Sequence, residues 1–401
     1  MRIGNKELIK DINRNLVLET VRLYEPLSRT DVSKRADLGL STVTSIVDRL
    51  MEADLIYEKG EAVSTGGRKG VLLRFNQNYG FTAAIKLEES RLILSITNLA
   101  SEILLKTEQS FEPGASVKEV MTLLIRSLAS ALEQLRLSQD RFLGISIVSS
   151  GLISDKEGKI IRSTLLGWEN ADVCTPIQDH FHTPIFLSNN VNAYTLAEKE
   201  FGFGSRFTSF ICLSIGAGIG ASFSFGQNLY TGHHGGAGEV GHTILYPNGY
   251  QCHCGQRGCL EMYASERFFQ IAGPETKREY PESPLHSFTF DEVYHQAGLG
   301  DRLALDLFKE LGENAGFGLL NLINLLNPEA IILIGEGVKA ERFFLPYALE
   351  KANENFFGKA GLSTPVFVSR LGDDAWLKGA SLFAINHLFA PPIYKKSELF
   401  S

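Results

Sequence analysis

Two stretches of this sequence share one layout, and that duplication limits the possible fold more than any other feature. Phe81-Thr82-Ala83-Ala84-Ile85-Lys86-Leu87-Glu88-Glu89-Ser90 runs into the alternating segment Arg91–Thr97. Phe210-Ile211-Cys212-Leu213-Ser214-Ile215-Gly216-Ala217-Gly218-Ile219-Gly220 runs into Ala221–Phe225. Each reads as strand, short turn, strand. From residue 80 onward strands alternate with helical patterns, which predicts an α/β fold. A repeated hairpin predicts two similar lobes with a ligand cleft between them. In the second copy the turn Gly216–Gly220 could cradle a phosphate with backbone N–H groups, or be a plain hairpin connection. In the first copy Glu88 and Glu89 stand at the turn. Each would repel a phosphate by about 4 kcal/mol at about 4 Å and an effective dielectric near 20.

Ahead of this region the periodicity is different. Residues 5–24 repeat at helical spacing, with Leu8, Ile12, Leu16, Val17, Thr20 and Leu23 expected on one side. Pro26 stops that helix. Ser28 is placed to cap a second helix, Arg29 to Arg35, with Asp31 in its first turn. Leu38-Gly39-Leu40 reads as the turn of a helix-turn-helix. Ser41 is expected to cap a third helix whose buried stripe is Val43, Ile46, Val47 and Leu50. That leaves Ser41, Thr42, Thr44, Ser45 and Arg49 facing outward. Small hydroxyl side chains at the start of such a helix suit the major groove of DNA. Leu55–Glu58 and Val71–Phe75 read as two strands flanking the polar loop Ser64–Gly70, a wing in which Arg68 and Lys69 would meet the duplex. The alternative is a three-helix packing module with a charged hairpin. Residues 1–75 hold 13 Lys+Arg against 11 Asp+Glu, and the remainder holds 26 against 35. This asymmetry permits DNA binding at the N-terminal end although the whole chain carries −7.

Three of the five cysteines, Cys252, Cys254 and Cys259, crowd into eight residues, and Gly238-Glu239-Val240-Gly241-His242 precedes them. Three thiolates and one imidazole make a four-ligand set for structural Zn2+: His242, Cys252, Cys254 and Cys259. His253 is a rival nitrogen, but its place between two ligating cysteines argues against its converging on the same ion. A reduced cysteine cluster without metal is the alternative. Glu239 and Glu261 flank the set and are candidates for hydrogen bonds to sugar hydroxyls, or else are solvated acids. Gly312 to Leu326 reads as a core helix leading to the strand Ile331–Ile334. His233-His234 reads as a surface loop. The tail after Pro391-Pro392 is expected to fray. No apolar run reaches the roughly 18 residues of a membrane span, and the charged start does not resemble a signal peptide, so a cytoplasmic protein is expected.

At these motifs the chain resembles the ROK family (repressors, open reading frames and kinases), and within it the xylose-repressor type. The resemblance rests on the C-x-C-G-x-x-G-C-x-E run with its upstream G-E-x-G-H. It extends to Ser64–Gly70, Gly216–Gly220 and Asn189–Ala193. It implies a winged helix-turn-helix over 1–76, then a two-lobed actin-like (ribonuclease H-like) sugar-kinase fold with lobes at 77–200 and 201–401. It also implies a monosaccharide or derivative as effector, and a homodimer on a palindromic DNA operator. Asn189, Asn190, Glu239, His242 and Glu261 would form the polar ring around the sugar.

Kinase chemistry is expected to be lost. Active family members carry D-x-G-G-T where this chain has Lys86, Glu88, Glu89 and Ser90. Asn190 replaces the catalytic aspartate of N-D-x-N, and an amide cannot take a hydroxyl proton. Leu165 stands before Leu166-Gly167-Trp168 where the family often has asparagine. Gly335-Glu336-Gly337 places an acid among the second set of nucleotide-contacting glycines. The reading is a sugar-responsive repressor of carbohydrate-utilisation genes. The rivals are a ROK sugar kinase with an appended module and a regulator controlled by a partner protein.

Overall fold

The computed structural model describes residues 6–61, 70–226 and 228–390. Arg68, Lys69 and the loop residues 62–69 lie outside the described residues, as does the tail from residue 391. Contacts divide the chain into two compact units. One comprises residues 1–149, 154–188 and 380–401, the other 150–153 and 189–379. The main part of the second unit therefore runs from Asn189, where 77–200 was expected to form the first lobe. Residues 380–390 return to the first unit, although 201–401 was expected to form one lobe. The N-terminal module also clusters with the first unit rather than standing alone, because its core includes Leu99 and Ile385.

In that module α1 (Lys6–Tyr24) and the short β1 (Leu27–Ser28) lead into α2 (Arg29–Ala36) and α3 (Leu40–Glu52). The strands β2 (Ile56–Glu61) and β3 (Val71–Phe75) pair antiparallel, and β1 joins β3 on the other edge. Ser28 caps α2 through a capping box. Its side chain accepts from the Asp31 N–H, and Asp31 accepts from the Ser28 N–H. Three expectations need correction. Leu16 and Leu23 are 40% and 43% exposed, and Leu18 and Val21 are buried instead. The face that packs on α2 and α3 is thus rotated from the one the pattern suggested. The turn between α2 and α3 is made by Asp37 in the left-handed region at φ 51°, not by Gly39. Gly39, not Ser41, is the N-cap of α3, without a side-chain cap, so Ser41 sits inside the first turn.

The first unit continues with β4 (Phe81–Leu87), β5 (Arg91–Asn98), β6 (Ile103–Ser110), α4 (Val117–Gln134) and β7 (Phe142–Ser149). Next come β8 (Leu152–Ser154), the pair β9 (Lys159–Ser163) and β10 (Trp168–Asp172), α5 (Thr175–Phe181) and β11 (Ile185–Asn189). Its five-stranded sheet is ordered β6-β5-β4-β7-β11.

The second unit contains α6 (Asn190–Phe201), β12 (Ser209–Ile215), β13 (Ile219–Phe225) and β14 (Asn228–Tyr230). The short α7 (Glu261–Ala264), α8 (Glu266–Thr276), α9 (Phe290–Gly298) and α10 (Arg302–Leu326) follow. It closes with β15 (Ala330–Ile334), α11 (Glu341–Ala352), β16 (Val366–Val368) and the start of α12 (Ala375–Leu388). The apolar run expected from Gly312 is the second half of α10. This sheet is ordered β14-β13-β12-β15-β16. In both sheets the hairpin is antiparallel and its first strand pairs parallel with the strand on its other side, β4 with β7 and β12 with β15. The duplication read from the sequence is thus a duplication of topology.

Every residue of β15 is buried, as expected for a parallel strand covered on both faces. Ile211, Leu213 and Ile215 face a core with Phe268, Phe269 and Phe308. Phe210 and Cys212 face the opposite side with Val191, Tyr194 and Trp376. Among the described residues no helix is long and apolar enough to cross a membrane.

Candidate metal centre and its neighbours

On α3, Val43, Val47 and Leu50 point into the core, which turns Ser41, Thr42, Ser45 and Arg49 to solvent and leaves Thr44 half-buried. Thr44 donates its hydroxyl to the Leu40 carbonyl at 2.8 Å. Arg29 ties the module together, bonding Asp48 of α3 at 3.1 Å and Glu58 of β2 at 2.5 Å. Ser41, Thr42, Ser45 and Arg49 thus share the outward edge of a braced helix, while Thr44, expected among them, is half-buried.

The metal candidates lie on the second unit. Gly238 has φ 101°, and a Cβ there would collide with the Ala221 carbonyl on β13. Only glycine lets the segment 238–242 cross the strand so closely. Gly241 is packed against Ile219 in the same way. The loop that carries the cysteines is a tight turn: Gly255 N–H donates to Cys252 O at 3.0 Å, and Cys252 N–H to Gln256 O at 2.8 Å. These constraints bring His242, Cys252, Cys254 and Cys259 together with their ligand atoms within 4.8 Å of one another.

Two edges of this group match those of a tetrahedral ion. Zinc bonds of about 2.3 Å to sulfur and about 2.05 Å to nitrogen place neighbouring sulfurs about 3.8 Å apart, and sulfur and nitrogen about 3.6 Å apart. Cys254 Sγ and Cys259 Sγ are 3.6 Å apart, and Cys252 Sγ is 3.6 Å from His242 Nδ1. Burial pushes the Cys259 thiol up to about 12 and raises Cys252 as well. A divalent cation reverses that preference by stabilising thiolates. The cluster is consistent with a zinc site. With Nδ1 turned to the sulfurs, His242 Nε2 faces Glu239 Oε2 at 3.9 Å, the arrangement in which a carboxylate orients a metal-bound imidazole.

His253 is closer than the sequence suggested. Its place between two cysteines argues against convergence, yet it forms a second group with His242, Cys252 and Glu261 whose atoms also lie within 4.8 Å. Three thiolates still make the first group the better zinc set, since sulfur is the preferred structural ligand.

Glu261 begins α7 just after Cys259, and its side chain is only 8% exposed. Its Oε2 accepts from the Ile219 N–H at 3.1 Å. A Cβ on Gly218 would lie 2.8 Å from that oxygen. Glu239 is 45% exposed, yet desolvation first and the Glu261 charge after it hold its carboxyl above the ordinary range. Asn189 caps α6, accepting from the Val191 N–H at 2.8 Å and donating to Gly151 O at 3.1 Å. Asn190 Oδ1 accepts from the same N–H. β13 is the common floor, because Val191 of α6 packs on Gly220, Gly241 on Ile219, and Glu261 bonds Ile219. Leu165 belongs to the first unit and is half-buried beside the buried Leu166 and Trp168. His233 and His234 are exposed and their rings meet edge to face at 4.4 Å.

The two hairpin turns differ from expectation. The repulsion assigned to Glu88 does not hold as stated, because Glu88 is neutralised locally. Lys86 Nζ lies 2.7 Å from its carboxylate, Arg91 bonds it too, and Arg91 also bonds Glu108 at 3.0 Å. At the glycine turn, Glu261 takes one N–H, and the Glu336 carboxylate presses against Gly216 so closely that a Cβ there would collide with it. The sequence marked Glu336 as a departure, but not that it folds back onto the turn.

Comparison with known proteins bears on the whole chain. The xylose repressor of Caldicellulosiruptor bescii is 30% identical over 98% of this chain and 100% of its own length. A crystal structure of a ROK family transcriptional regulator, a homologue of the E. coli MLC protein, superposes with a TM-score of 0.83 at 27% identity, over 95% of this chain and 97% of that one. A ROK family glucokinase from Streptomyces griseus shares the fold over 75% of this chain and 98% of its own, at 24% identity and a TM-score of 0.66. The ROK family model matches residues 82–387, and the chain belongs to that family.

Proposed function

We propose that this chain is a sugar-responsive DNA-binding transcriptional regulator, a repressor of carbohydrate-utilisation genes, that transfers no phosphate. The carrying observation is the solvent-facing edge of Ser41, Thr42, Ser45 and Arg49 on a capped, ion-braced helix pair. Thr44, together with Arg68 and Lys69 of the wing, completes the proposed DNA-contacting set. The repressor reading is also supported by full-length similarity to a xylose repressor. Loss of phosphoryl transfer is supported by the carboxylates of Glu261 and Glu336 at the glycine turn and by an amide at Asn190. Asn189, Asn190, Glu239, His242 and Glu261 are the proposed sugar contacts, and Zn2+ on His242, Cys252, Cys254 and Cys259 would hold that loop rigid. A homodimer would place two copies of α3 about one DNA turn apart on a palindromic site. A sugar that favours the non-binding form by about 3 kcal/mol would weaken operator affinity about a hundredfold.

The test is binding to the DNA upstream of the protein's own gene, at fixed salt, with and without xylose, glucose and N-acetylglucosamine. Release by one sugar is expected. Transfer of phosphate from ATP to any of these sugars would sink the non-enzymatic reading. DNA binding that no sugar alters would favour control by a partner protein, the outcome to which Leu165 would contribute.

A further inference from the structure

Glu261 is anchored at one oxygen only. Oε2 accepts from Ile219, while the buried Oε1 makes no hydrogen bond. Two nitrogens face that oxygen at ion-pair distance without a hydrogen bond to it: His253 Nδ1 at 3.4 Å and Arg267 Nε at 3.9 Å. Arg267 Nε is itself buried and without a hydrogen bond. A buried carboxylate oxygen is costly unless it is balanced, and the pull of nearby donors is strongest where water is excluded.

Both nitrogens are held from elsewhere. Arg267 stands in the first turn of α8, where its N–H is accepted by the Ser265 hydroxyl at 3.2 Å. His253 lies between two of the candidate zinc ligands, and its ring meets that of His242 edge to face at 5.4 Å. Fixing Cys252 and Cys254 on an ion therefore fixes His253.

We infer that His253 and Arg267 are positioning residues for Glu261, so that the metal loop sets how tightly the site holds a sugar hydroxyl. The inference rests on the sugar-site reading above. The ligand class is a neutral polyhydroxyl compound, whose hydroxyl donates to the Glu261 carboxylate. The role separates His253 from the four ligands: it acts on affinity, not on metal retention.

The test uses the full-length zinc-loaded protein titrated with D-xylose, D-glucose and N-acetylglucosamine. His253→Phe keeps a planar ring and removes the donor, and His253→Asn returns a donor near the Nδ1 position. For the sugar that the parent protein binds, His253→Phe is expected to weaken affinity about tenfold or more, with partial recovery in His253→Asn. The absorption bands of the cobalt-substituted protein and sugar-free DNA affinity should not change, and a purely structural role for His253 would move them. If His253→Phe does not fold, Arg267→Gln carries the test, with an expected loss of at least about threefold. Sugar affinity within twofold of the parent in the variants overturns the inference and leaves the sugar site standing. Altered cobalt bands in His253→Phe overturn it in favour of a direct metal role. A parent protein that binds none of the three sugars overturns the sugar-site reading, and this inference with it.

Discussion

The two hairpins occupy equivalent places in two sheets of one topology, yet their turns are filled by opposite means. At β4–β5 the charges are local: Lys86, Glu88 and Arg91 lie within six residues, and Glu108 comes from the adjacent strand. At β12–β13 the turn itself is neutral and glycine-rich, and its partners, Glu261 and Glu336, arrive from distant segments. A local ion pair depends on its own strand and survives rearrangement elsewhere. A turn filled from a distance depends on everything that positions α7 and the segment after β15. The second hairpin is therefore the one that depends on Glu261, two residues beyond Cys259.

The largest effect that separates them should come from Cys254→Ser. It is expected to lose bound zinc and cost about 3–5 kcal/mol, loosening β12–β13 while β4–β5 keeps its protection. Zinc content, thermal unfolding and amide exchange would check this. Equal loosening of both hairpins, or a parent protein stable without metal, would break the comparison. Gly238→Ala comes next. Its φ of 101° and the close Ala221 carbonyl predict a loss of about 3 kcal/mol, read from denaturant unfolding. A loss below about 1 kcal/mol would show that the 238–242 crossing can shift.

Lys86→Met probes the first hairpin. Lys86 is 8% exposed and Glu88 20%, so removing the ammonium should cost about 2 kcal/mol, with Arg91 limiting the loss. No change on unfolding would mean that Arg91 alone neutralises Glu88.

Acid should give the smallest and most discriminating effect. Burial raises the Glu88 carboxyl, but Lys86 and Arg91 outweigh it and hold it below the ordinary range. Its stabilising contribution is present above the ordinary carboxylate value and is lost as pH falls through the folded value. Glu266, whose N–H donates to Gly216 O at the other turn, is raised by burial first and by the Glu336 charge next. Its contribution is present below the ordinary value and is lost as pH rises through the folded one. Acidification through and below the ordinary carboxylate range should therefore loosen β4–β5 relative to β12–β13. Site-resolved amide exchange at two pH values would reveal a reversed order if the assignment of charges is wrong.

Much of this contrast could be read before any coordinates. The hairpins, the Ser28 cap with Asp31 in the first turn, and the Cys/His set follow from local rules of period, cap and ligand spacing. The buried face of α1 did not follow, because Leu16, Val17, Leu18, Val21 and Leu23 offer two apolar stripes, and only the positions of α2 and α3 decide between them. The turn before α3 was misplaced for a related reason. Glycine is the usual left-handed residue, but Asp37 takes that conformation here. Arg267 carried no signal at all, since its pairing with Glu261 depends on the angle between two short helices.

The sequence by itself determined the two hairpins, the helices around the helix-turn-helix, the set of three cysteines and one histidine, and that no carboxylate stands at position 190 for proton transfer. These are properties of residue type and of short spacing, where sterics and hydrogen bonding act between near neighbours. Tertiary structure alone decided that Glu88 is neutralised, that Glu336 closes on Gly216, and that His253 faces Glu261. Those outcomes depend on distances of a few ångströms between segments far apart in the chain. Electrostatic and packing energies change steeply at that range, so only the assembled core could fix them.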